Sequence, residues 1–158
     1  MAKINKLSTC LWFDGNAEDA AKFYVSVFPD AKILHTSHSG ENGPGPAGSV
    51  LVVEFELAGS RFMGLNGGPM FRFSEAISLV INCDSQQEID YYWQALIADG
   101  GSPSQCGWLK DKFGVSWQVV PAAICDWLSE PKASARVMHE VMQMSKLDYG
   151  RMQAAARG

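Results

Sequence analysis

Positive charge, histidine and paired cysteine are all scarce in this chain. Lys and Arg number 13 against 17 Asp and Glu, and no basic run is present that would neutralise a phosphate backbone, so nucleic acid is not an expected partner. No apolar run reaches the roughly 18 residues that span a bilayer, and "MAKINKLSTC" lacks the apolar core of a signal peptide; the expectation is no membrane and a cytoplasmic setting. Cys10, Cys83, Cys106 and Cys125 show neither CxxC spacing nor a dense framework, which reads as reduced thiols rather than disulfides or a zinc knuckle. Also missing is the glycine-rich turn between a strand and its helix that a doubly wound nucleotide or methyl-donor site needs. The glycines at 40, 43, 45 and 48 stand among prolines with no helix after them.

What the chain does have is a repetition. "CLWFDGNAEDAAKFY", residues 10 to 24, recurs in weaker form as "SLVINCDSQQEIDYY", residues 78 to 92. Each copy reads as strand, cap, helix. In the first, "KLSTCLWF" alternates, Asp14 or Asn16 can cap a helix, and Ala17, Ala20, Ala21, Tyr24, Val27 and Phe28 follow helical spacing before Pro29. In the second, "EAISLVIN" reads as a strand and Asp84 and Ser85 with Gln87 and Glu88 offer a capping box. Ile89, Tyr92, Trp93, Leu96 and Ile97 then form the apolar stripe. Hairpins turning at Gly59 and near Gly114 follow, and a strand from Ala31 to Ser37 has a shorter counterpart near Gln105.

These elements predict an α+β fold within a single domain, 1–158: a first βαβββ module over 5–70, a second over 71–121, and a C-terminal helical segment over 122–158. Val137, Val141 and Met144 mark the packed side of that segment, and Met138, Met142 and Met144 form a stripe that reads as packing. The loop "SGENGPGPAGS", residues 39 to 49, reads as an exposed connection. One helix cannot cover both faces of a four-stranded sheet, so the modules are expected to pair around a cleft that takes a small-molecule ligand. Exposed strand edges and apolar C-terminal helices lead to the expectation of a homodimer.

Four stretches, "CLWFDGNAEDAAKFYVSVFPDAKI", "FELAGSRFMGLNGGP", "QCGWLKDKFGVSWQVVP" and "VMQMSKLD", resemble in this order the PhnB-like branch of the vicinal oxygen chelate superfamily. That superfamily includes glyoxalase I, bleomycin-resistance proteins and extradiol dioxygenases, and many members of the branch carry the label 3-demethylubiquinone-9 3-methyltransferase. The resemblance implies paired βαβββ modules, often in a homodimer. In metal-using relatives it implies a divalent ion held by His, Glu or Gln from the first and last strands of both modules. Carried onto this chain through the helix caps, the first-strand position falls on Thr9 (or Leu7) and its repeat partner on Ile77 or Glu75. The last-strand position falls on Gln118, with a counterpart near Met63 to Asn66.

Gln118 is the one convincing ligand type, with Glu75 a second in one register only, so the expectation is no tightly held metal and no cofactor. His35 and His38, three apart on a strand, are expected on opposite faces, and His139 lies on a C-terminal helix. Cys106 has Lys110 and Lys112 nearby in sequence but no histidine, and reads as a packed thiol. Trp117 and Gln118 must face opposite sides of their strand. The ligand-pocket candidates are Thr9, Asn66, Phe71, Glu75, Ile77, Gln105, Cys106, Trp108 and Gln118. Two functions remain open: an enzyme acting on an oxygen-rich or aromatic metabolite, or a non-catalytic protein that sequesters one. The methyltransferase label of the family is a third.

Overall fold

Both repeats fold into a strand, a helix and three further strands, as their periodicity predicts. The computed structural model describes residues 5–158, and the chain divides after Arg72 into two compact units. The first contains β1 (Thr9–Phe13), α1 (Ala17–Val27), β2 (Ala31–His38), β3 (Val50–Leu57) and β4 (Ser60–Asn66), with strand order β1-β4-β3-β2. The second contains β5 (Leu79–Cys83), α2 (Gln86–Ile97), β6 (Ser102–Pro103), β7 (Trp108–Lys110) and β8 (Ser116–Pro121), in the matching order β5-β8-β7-β6. In each sheet the first and last strands are parallel and the other pairs antiparallel. Three helices follow: α3 (Ile124–Ser129), α4 (Pro131–Val141) and α5 (Tyr149–Arg157). Among the described residues, no helix is long and apolar enough to cross a membrane.

In the first unit α1 buries Ala17, Ala20, Ala21, Tyr24 and Val27 against Leu11 and Phe13 of β1 and Val53, Phe55 and Leu57 of β3. The small alanines let the helix approach closely. Tyr24 stacks over Phe55 at 6.0 Å, and Phe55 over Phe62 at 5.4 Å. Each such large side chain contributes about 2 kcal/mol by leaving water. The alternate residues Cys10, Trp12, Glu54, Met63 and Leu65 stand on the opposite face.

Two details differ from the expected pattern. Neither Asp14 nor Asn16 caps α1, because Asn16 (φ −110°, ψ 23°) lacks the extended geometry that aims a cap side chain at the first amides. Asn66 takes the role from β4: its Oδ1 accepts from Ala17 N at 2.9 Å and its Nδ2 donates to Val50 O at 3.0 Å. In β2, register shifts place His35 opposite Glu54 and His38 opposite Val50, so a simple alternation count does not assign the two histidines to opposite faces.

In the second unit Ser85 Oγ accepts from Glu88 N at 3.2 Å, while Glu88 Oε2 accepts from Asp84 N at 2.6 Å, completing the capping box that starts α2. Ile89, Trp93 and Leu96 of α2 are buried, as are Ile81, Cys83, Leu109, Trp117 and Val119 on the strands. Burial, followed by the Glu88 and Asp84 carboxylates, pushes the Cys83 thiol up to about 12. The β7–β8 turn is organised by Asp111, which is 3% exposed. Its Oδ1 accepts from Phe113 N (2.8 Å) and Val115 N (3.1 Å), and its Oδ2 from the indole of Trp117 (2.8 Å).

The C-terminal helices bury the far end of this sheet. Val120 joins Val137, Val141, Met144, Leu147 and Met152 in one apolar cluster. Of the methionine stripe only Met144 is in that cluster, since Met138 and Met142 are exposed. Gln86 ties α2 to the same segment by donating to Leu147 O (3.2 Å) and accepting from Tyr149 N (2.7 Å).

Two predictions follow from backbone and buried-polar chemistry. Ala58 and Gly59 form the two-residue β3–β4 turn with φ of 46° and 80°, a geometry that favours Asn-Gly and strains alanine. Ala58→Asn is expected to stabilise the protein by about 0.5–1 kcal/mol, read as a higher urea midpoint with unchanged slope. Asp111→Ala strands a buried indole N–H and two amides, and is expected to destabilise by about 3 kcal/mol in the same assay.

Candidate functional site

The face of the second sheet opposite α2 carries polar side chains. Trp108 and Lys110 alternate onto it from β7, Ser116 and Gln118 from β8, and the ladder pairs Trp108 with Gln118 and Lys110 with Ser116. Directly opposite residues stand about 5 Å apart and successive same-face residues about 7 Å, so the four make a small square. Beside it lies a cavity of about 540 Å³, lined by Glu75, by the chain from Ser102 to Cys106, and by Trp108, Leu109, Lys110 and Ser116.

The cavity wall turns at Cys106 and Gly107, which both have left-handed backbone, with φ of 62° and 82°. Cysteine costs about 1–2 kcal/mol there. Hydrogen bonds to the C-terminal segment hold the turn: Cys106 N donates to Met144 O and Gly107 N to Ser145 O, both at 2.8 Å, and Ser145 Oγ donates to Ser104 O at 2.5 Å. Gly107 O accepts from Val119 N at 2.9 Å. A Cβ on Gly107 would come within 2.9 Å of Leu147 and 3.1 Å of Val119 O, so the close approach as well as the dihedral requires glycine.

Charge at the site is paired locally. Lys110 Nζ lies 2.5 Å from Glu75 Oε1. The Lys110 ammonium, and then Glu75's own backbone N–H, hold that carboxyl below its usual range. Gln118 Nε2 donates to Ser78 Oγ at 2.9 Å. Ser116 is 1% exposed, and its hydroxyl has no hydrogen-bond partner among the described residues.

Of the candidates read from sequence, Glu75, Gln105, Cys106 and Trp108 line this cavity, and Gln118 stands beside Trp108 on the same face. Ile77 is 75% exposed ahead of β5. The others lie in the first unit. Thr9 pairs with Phe62 in the alternation of Leu11 and Phe13, toward the helix side; Asn66 is the α1 cap; and Phe71 meets Trp12 edge-on at 4.9 Å. The register differs because β1 begins at Thr9 whereas β5 begins only at Leu79, two residues after Ile77. Thr9 therefore corresponds to Leu79, and neither Ile77 nor Glu75 is a strand position. Ser116 was not among the candidates, although two residues before Gln118 in "SWQVV" places it on the same face.

The donor set does not fit a divalent ion. Facing away from the helices are Cys10 and Trp12 on β1, Met63 and Leu65 on β4, Val80 and Asn82 on β5, and Ser116 and Gln118 on β8. None is a carboxylate or imidazole, and among the described residues no three His, Cys, Asp or Glu cluster as metal ligands. A methyl donor also lacks its usual seat. Neither sheet is doubly wound, and the strand–helix junctions 14–16 and 84–85 carry no glycine-rich turn.

The family model described as 3-demethylubiquinone-9 3-methyltransferase matches residues 5–120. No curated protein matches the chain in sequence. Among solved structures, the PhnB protein of Bacillus cereus, which carries the same methyltransferase label, is 37% identical with a TM-score of 0.67, over 75% of this chain and 100% of that one. A protein of Pseudomonas aeruginosa is 22% identical with a TM-score of 0.60, over 73% and 96%. The fosfomycin resistance protein FosX of Mesorhizobium loti is similar in fold, at 12% identity and a TM-score of 0.58, over 82% and 99%. With the sheet order, the repeated module and these matches together, the chain belongs to the family described as 3-demethylubiquinone-9 3-methyltransferase, the PhnB-like branch of the vicinal oxygen chelate superfamily.

Proposed function

We propose that this protein binds a small oxygen-rich or aromatic metabolite in the cavity of its second unit, without a tightly held metal ion. The observation that carries this reading is the wall itself: a strained, hydrogen-bonded Cys106–Gly107 turn beside an indole and convergent polar groups. Backbone strain held in place by surrounding structure gathers at ligand sites, and concave pockets with few, directed polar groups are where small molecules bind. The charged side chains among the described lining residues, Glu75 and Lys110, satisfy one another, and no histidine stands among those residues, which favours sequestration over acid–base turnover. The family's description is not carried over as an activity, because a shared fold hosts many chemistries.

A second copy of the chain completes this reading. Leu7, Met70, Phe71, Ile77 and Val80 are each exposed at 50% or more, apolar surface that a second copy of the chain would take out of water. The proposed assembly is a homodimer.

Three measurements test these points. Trp108→Ala is expected to weaken binding of small aromatic carboxylates and their neutral analogues, read by calorimetry on the full chain, by about tenfold through loss of the aromatic contact. Unchanged affinity would reject the cavity. Elemental analysis is expected to find no stoichiometric metal, whereas one equivalent per chain that disappears in Gln118→Ala would overturn the metal-free reading. Sedimentation at micromolar concentration is expected to give a dimer, and a monomer throughout would reject the assembly.

A further inference from the structure

The square of Trp108, Lys110, Ser116 and Gln118 contains one unmet hydrogen bond and one charge that is met from outside the sheet. Ser116 is among the residues that line the cavity, and its buried Oγ has no partner among the described residues. An unpartnered buried hydroxyl is destabilising, so one kept in a cavity wall points to a group that completes it when the cavity is filled. Across the ladder from it stands Lys110, whose ammonium is paired with Glu75 from the irregular segment ahead of β5. Glu75 is 63% exposed, so water and salt screen that pair, and a competing carboxylate can replace it at little cost.

Resting on the reading that this cavity is the ligand site, we propose that it recognises a small planar metabolite bearing a carboxylate, which displaces Glu75 from Lys110, accepts a hydrogen bond from Ser116 Oγ–H, and lays its planar body along Trp108. One ammonium and one hydroxyl, adjacent on one face, match the two oxygens of a carboxylate. A phosphate dianion brings three oxygens and about twice the charge, for which the described lining residues supply no second cation. Glu75 holds the carboxylate position while the cavity is empty, keeping Lys110 paired. The volume of about 540 Å³ lies within the range of small-ligand pockets.

The test uses the full chain titrated with benzoate and with its neutral isostere benzamide, followed by calorimetry and by amide chemical shifts around Trp108. Benzoate is expected to bind at least about tenfold more tightly than benzamide, and Lys110→Met is expected to erase that preference. Glu75→Gln removes the competitor and is expected to tighten benzoate by about three- to tenfold. Ser116→Ala is the distinguishing variant, since it should weaken benzoate by about five- to tenfold while raising the urea midpoint of the unliganded protein, because it deletes an unpaired buried hydroxyl. Equal binding of the two probes with shifts confined to the cavity overturns the carboxylate assignment and leaves the cavity as a ligand site. Weaker benzoate binding in Glu75→Gln overturns the displacement, and a lowered midpoint in Ser116→Ala shows the hydroxyl to be structural. Failure of both probes to perturb the cavity residues overturns this proposal and the ligand-site reading together.

Discussion

Each four-stranded sheet has one helix of its own, and strand alternation divides its residues into a set beneath that helix and a set facing away from it. The helix sides are dry and aliphatic or aromatic, as with Tyr24 over Phe55 in the first unit and the buried Trp93, Trp117 and Val119 in the second. The far sides need some other cover. In the second unit the C-terminal helices supply it at Val120, through the cluster around Leu147, and the cavity lies further along the same sheet. The position of the site thus follows from where the helical cover ends.

The residues around the cavity are individually unfavourable. A cysteine has left-handed backbone, a hydroxyl is buried with no partner among the described residues, and a lysine is neutralised from outside the sheet. They persist because neighbouring interactions over-determine them: the amides of residues 106 and 107 are held by residues 144 and 145, and Asp111 locks the adjacent hairpin with three accepted hydrogen bonds. A site organised in this way has its polar groups oriented before a ligand arrives, which lowers the entropy lost on binding.

Membership of a metal-using superfamily does not bring its chemistry along. Where that chemistry asks for anionic or imidazole ligands on the first and last strands, this chain presents thiol, indole, thioether, aliphatic, hydroxyl and amide groups. A neutral amide such as Gln118 both donates and accepts, which suits an uncharged or singly charged organic ligand and gives a divalent cation little to replace its water.

The sequence by itself determined the repeated module, the C-terminal helices and the opposition of Trp117 and Gln118, because these depend on local periodicity and on residues whose spacing is read directly. Tyr24, Val27, Ile89 and Leu96 fall on helical stripes whatever surrounds them. Only the tertiary structure decided the rest. Asn66 caps a helix 49 residues away, which no local pattern announces. β5 starts only at Leu79, two residues after Ile77, so Ile77 and Glu75 lie ahead of the strand that the stretch 75–82 suggests, and strand length is set by pairing with β8. Register shifts in β2 likewise upset the alternation count for His35 and His38. Ser116 is an ordinary serine in sequence; its burial and its place across the ladder from Lys110 exist only once β7 and β8 are brought together.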